Sequence, residues 1–171
     1  MSDMMKSFTP MALPSVLAAT TLSGTVVLAC MMPFAAIATI AALAMPPRRG
    51  LIAVMLCWLG NQVLGFGLMG FPWDGPTLAA GLSLLAASLI AFLAARFVAA
   101  RGGALATFLA AFAAFELSLF VYALAFGDPA LFVPQIVAQI ALNEALWFAG
   151  LWLGWQVLAR IPALADGRRI V

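Results

Sequence analysis

The sequence contains no histidine, and charged residues make up only 8% of its 171 positions. The first absence removes His-ligated haem, His-containing zinc centres and histidine general bases together. The second excludes a water-covered globular surface, for which soluble domains use roughly 25% charged residues. Cysteine is scarce too. Cys30 and Cys57 both fall in apolar stretches, where thiols behave as small hydrophobes rather than as a disulfide framework. A phosphate loop, a dinucleotide fingerprint and a Ser–His pair are also missing. The sequence therefore predicts no enzymatic activity, no cofactor, no metal site and no nucleic-acid partner.

What is present is hydrophobic: 66% of the residues, gathered in long runs that are nearly free of charge. Runs of that length mark helices that cross a bilayer. A β-barrel would instead need segments of about 10 residues alternating apolar and polar, and no such pattern occurs. The expected fold is an all-α, polytopic integral membrane bundle in a single transmembrane domain, residues 1–171. Lys6 followed by Ala12–Ala19 has the outline of a signal peptide, but the apolar run continues to Met45 and argues against cleavage.

Proline, glycine and charge punctuate the runs. Pro46-Pro47-Arg48-Arg49-Gly50 ends one helix and begins another, and Pro72-Trp73-Asp74-Gly75-Pro76, Arg101-Gly102-Gly103 and Gly127-Asp128-Pro129 mark three further turns. The predicted spans are 22–45, 51–71, 77–98, 104–126 and 130–158, each long enough for a core of about 30 Å at about 1.5 Å per residue. Residues 11–21 are expected to be interfacial, which gives five crossings. A first run split into two short helices would give six.

The turn charges alternate in sign. Arg48 and Arg49 lie on one side, Asp74 on the other, Arg96 and Arg101 on the first again, and Asp128 on the second; Arg160, Arg168 and Arg169 follow in the tail. Lys/Arg-rich loops stay cytoplasmic, so the expected setting is the inner membrane with the C-terminus in the cytoplasm. Arg96, close to its helix end, is expected to snorkel outward along its stem.

Polar side chains inside such helices need an explanation, because lipid offers them no partner. Asn61 and Gln62 sit side by side in a helix whose outer half also carries Gly65, Gly67 and Gly70. Gln135, Gln139 and Asn143 recur every four residues and so share one helix face, with Gly150 and Gly154 near it. Glu116 and Glu144 fall near the middle of their own spans, with no basic residue at similar depth. Read functionally, these seven side chains line an intramembrane site for proton coupling, cation binding or recognition of a polar solute. Read structurally, the carboxamides lock helices together, at about 0.6 kcal/mol per bond. The carboxyls would then be satisfied by Asn61, Gln62 or a backbone carbonyl. Cys30-Met31-Met32, Met55 and Cys57 offer soft metal ligands, but consecutive helical residues diverge, and core packing accounts for them better.

The short chain with almost no loops, together with Ala38-x-x-x-Ala42 in its first long run, resembles the substrate-binding S components of energy-coupling-factor vitamin transporters. That resemblance implies six spans, both ends cytoplasmic, a vitamin held in an outward-facing pocket, and docking on a transmembrane coupling subunit through small residues of the first helix. It assigns no binding residues. Two functions follow from the sequence as a whole. One is a solute-binding or transport component; the other is a non-catalytic accessory or assembly subunit. Under either, membrane lipid surrounds the chain, and a partner membrane subunit or a second copy completes it.

Overall fold

The computed structural model describes residues 32–158 and Arg160. The expected interfacial stretch 11–21, residues 22–31 of the first expected span, Cys30, Met31, Arg168 and Arg169 lie outside the described residues. Among the described residues five α-helices follow one another: α1 (Phe34–Ala44), α2 (Pro47–Val63), α3 (Gly75–Ala99), α4 (Ala104–Phe126) and α5 (Pro134–Leu158). No strand occurs among the described residues, so the described chain is an all-α bundle. Among the described residues four helices are long and apolar enough to cross a membrane, α2 counting with its wide last turn to Leu68, whereas α1 has only 11 residues.

The helix boundaries follow from local chemistry. Pro47 opens α2 four residues before the expected Leu51, because a first-turn proline lacks only an N–H that has no helical partner there anyway. Asp74 caps α3, its Oδ1 accepting from the Thr77 N–H at 2.9 Å. The glycine-rich end of α2 widens over Leu64–Leu68, where the Met69 N–H reaches the Leu64 carbonyl at 3.0 Å. Gly70, at φ +68°, then turns the chain, and a side chain at Gly65 would stand 2.8 Å from the Phe71 ring folded over it. A 3-10 turn, Pro129–Phe132, precedes α5 and moves its start to Pro134 from the expected 130.

The short helix is the centre of the bundle. Every residue from Phe34 to Ala42 is buried, and α1 touches all four long helices. A helix that is hydrophobic all round belongs in such a position. Its alanines meet other small side chains, Ala53 and Cys57 on α2, Ala87, Ala91 and Ala95 on α3, and Ala111 on α4, which lets the backbones approach closely. α3 and α4, joined by a short turn, share the broadest interface, while α5 packs mainly on α1 and sparsely on α4. The outside is as apolar as the inside: Leu82, Leu93, Phe97, Leu117, Leu146 and Leu153 are all at least 60% exposed. An apolar rim of that extent is what lipid covers.

Candidate functional site: a buried helix end between two glutamates

An isolated helix leaves its first four N–H groups without acceptors, and burial makes that costly. In α1 all four find one. The Phe34 and Ile37 amides donate to the Met32 and Pro33 carbonyls, each at 3.0 Å. The Ala35 and Ala36 amides donate to the two oxygens of one carboxyl, Glu144 Oε1 at 3.2 Å and Oε2 at 2.8 Å. Glu144 is 1% exposed and is the one fully buried residue of α5. Its carboxyl is thus both the cap of α1 and the main polar tie between α5 and the core. A carboxylate at a helix N-terminus also meets the positive end of the helix dipole.

The other end of α1 is held by a cation. The Arg96 Nη1 donates to the Ala42 carbonyl at 2.9 Å and to the Met45 carbonyl at 3.3 Å. The side chain expected to reach outward along its stem instead binds the C-terminal carbonyls of its neighbour, where positive charge is favourable. α1 ends next to exposed Arg48 and Arg49 and rises only about 16 Å, half the thickness of a hydrocarbon core of about 30 Å. An 11-residue helix is thus too short to cross such a core by itself.

Glu116 is the second acid of this region. It lies on α4 beside Phe115, whose ring is 5.9 Å from that of Phe34 at the start of α1. Glu116 is 9% exposed, and both carboxyl oxygens are buried without a hydrogen-bond partner. Through that ring contact α4 brings Glu116 to the end of α1 that Glu144 caps. No basic residue answers it among the described residues at this level, since Arg96 is engaged at the far end of α1. The buried hydroxyls Thr39, Ser88 and Thr107 are satisfied by carbonyls one turn back in their own helices.

The remaining residues of the expected polar layer divide. Gln62 lies against Gly81 of α3, where an added side chain would come 2.6 Å from Gln62 Oε1, and its Nε2 is buried with no partner. Beside it the Trp58 Nε1 donates to the Gly81 carbonyl at 2.8 Å, making a separate polar contact between α2 and α3. Asn61 is half-buried, as is Asn143, which makes an interaction of its own. Gln135 and Gln139 are exposed on α5. The structure thus unites Glu116 and Glu144 at the end of α1, sets Gln62 with Trp58 on the α2–α3 contact, and leaves the two outer glutamines at the surface.

Sequence reasoning offered Asn61, Gln62 or a backbone carbonyl as partners of Glu144 and missed the backbone amides that hold it. Pro33 was the available signal: a proline within an apolar run marks a helix start and thus a set of amides in need of acceptors. Arg96, three residues before the end of its helix, gave a weaker one. By fold and composition the chain is a multi-pass helical membrane protein. Comparison with protein-family models, with curated proteins and with solved structures gives no match.

Proposed function

We propose that this protein is a solute-binding or transport component of the inner membrane, with its C-terminus in the cytoplasm and without enzymatic activity. The observation that carries the reading is the buried N-terminus of the short helix α1, capped by Glu144 from α5, with a second, unpartnered carboxyl, Glu116, on the neighbouring α4. Broken or half-length helices ending near the bilayer midplane place backbone polar groups where a solute can reach them, and intramembrane acids are costly to keep without a use. The architectural resemblance to vitamin-transporter S components points the same way and adds an expectation of a membrane coupling partner.

The decisive experiment is native purification of the full chain with mass spectrometry, combined with Glu144→Gln and Glu116→Gln variants. The expected result is a retained small molecule that both variants release while still inserting in the membrane. A second reading, an accessory or assembly subunit, is favoured by one observation: Gln135 and Gln139 face outward on α5, where a neighbouring chain could satisfy them. It predicts a co-purifying subunit, lost on Gln139→Leu, and no retained solute.

A further inference from the structure

We infer that Glu116 anchors a small monovalent cation seated beside the Glu144-capped end of α1. The inference rests on the solute-binding reading above and narrows it to a charge class.

The two acids of the site are unequally provided for. Glu144 has two amide donors and the positive end of α1. Glu116 has none, although both its oxygens are withdrawn from solvent. A buried acceptor left unmet costs about 1–3 kcal/mol, more when charged, so native structures rarely leave one empty. Protonation lowers the cost of burying this carboxyl but leaves its polar atoms without hydrogen-bond partners. A second carboxyl near Glu144 also adds negative charge that α1 cannot answer, its dipole being already engaged. The guanidinium of Arg96, tied to the Ala42 and Met45 carbonyls, is at the wrong end of the helix to supply the balance. A bound cation meets both needs at once.

The surroundings limit which cation. Divalent ions take six or more oxygens, commonly from several carboxylates. Among the described residues no group of three or more His, Cys, Asp or Glu could hold a metal ion. One carboxyl with a capped neighbour suits a single positive charge. Phe34 at the start of α1 packs against Phe115, the residue before Glu116, so aromatic surface is present in this region, and aromatic faces attract an alkylammonium. An organic amine and a sodium ion share this chemistry, and the test separates them.

Purified full-length protein in lipid nanodiscs is titrated with radiolabelled methylammonium and, separately, with radiolabelled sodium. Saturable binding of either supports the inference: methylammonium alone identifies an amine site, sodium alone an inorganic-ion site. Glu116→Gln should weaken the binding tenfold or more without lowering the thermal unfolding temperature. Glu116→Asp, which keeps the charge, should retain part of the affinity and serves if the glutamine variant does not fold. Binding of neither probe, or binding unchanged in Glu116→Gln, overturns the inference. Mass spectrometry of the same preparation separates the two failures. A retained neutral solute with no cation binding defeats only the cation site, whereas a co-purifying subunit with neither solute nor cation defeats the solute-binding reading as well.

Discussion

Two α-helices among the described residues begin on the carboxyl of an acidic side chain, and the two arrangements have little else in common. α3 is capped by Asp74, three residues from the amide it accepts, at an exposed turn. α1 is capped by Glu144, 109 and 108 positions away from Ala35 and Ala36, in a site closed to water. The local cap is one of several groups that can satisfy its helix end, because water is at hand. The remote cap has no substitute, because a buried amide without an acceptor keeps its full desolvation cost. The same chemical contact is therefore a convenience in one place and a structural requirement in the other.

Removing Glu144 should break this comparison most sharply. In Glu144→Ala, the Ala35 and Ala36 amides lose their acceptors together, a cost of about 2–5 kcal/mol from two unmet buried donors. α5 simultaneously loses its one fully buried side chain. Thermal unfolding in detergent should fall further than for a substitution at Arg96 or Asp74, and a cysteine reporter on α5 should become more reactive. Glu144→Gln should fall between the alanine variant and the native protein. Its carbonyl oxygen can accept one amide, while its own N–H2 faces the other donor, leaving about half the loss. An alanine variant as stable as the native protein would mean that α1 does not depend on this carboxyl.

The next effect in size tests the opposite end of the same helix. Arg96→Met keeps the apolar stem but removes the donor to the Ala42 and Met45 carbonyls. These groups lie near the exposed Arg48–Arg49 turn, where water can replace the guanidinium. The loss should be about 1 kcal/mol, the usual scale for a partly exposed charge at a helix terminus. Raising salt should reduce the difference between native and variant here, by screening, and leave the Glu144 effect unchanged. If Arg96→Met proves as damaging as Glu144→Ala, depth is not what separates the two ends.

How much of the fold and site was legible in the sequence follows the same division between local and remote. Asp74 before Gly75-Pro76, the Pro46-Pro47 break and the Arg101-Gly102-Gly103 turn are local signals, and the spans drawn from them agree with α3 and α4 to within two residues at each end. α2 and α5 differ by four residues at their starts, where Pro47 and the Pro129–Phe132 turn shift the boundary. The depth of Glu116 and Glu144 within their helices was also readable, since it needs only counting. Their partners were not. A side-chain stripe on α5 implied that Gln135, Gln139 and Asn143 would act with Glu144. Yet adjacent residues diverge by about 100° on a helix, so Glu144 can turn into the core while Gln135 and Gln139 face out. Which face points inward depends on where α1 stands, and nothing on α5 itself encodes that.

The smallest expected effect belongs to the exposed cap. Hydrogen bonds from Thr77 hold the Asp74 carboxyl below the usual carboxylate range. A group whose folded value is depressed contributes stability that is fully present above its unfolded value and is lost as pH falls through the folded one. The window thus lies in acid, below the ordinary aspartate value, and neutral pH leaves the cap intact. Because Asp74 stands open to solvent, its loss should fray only the first turn of α3. Asp74→Ala should therefore speed hydrogen exchange at the Thr77 and Leu78 amides at neutral pH, with little change in global unfolding. Acidifying the native protein through the same window should reproduce that local exchange, while the variant, lacking the carboxyl, should show no such step there. A global loss of stability on Asp74→Ala would contradict the comparison, because it would give a water-exposed cap the same weight as the one in the bilayer.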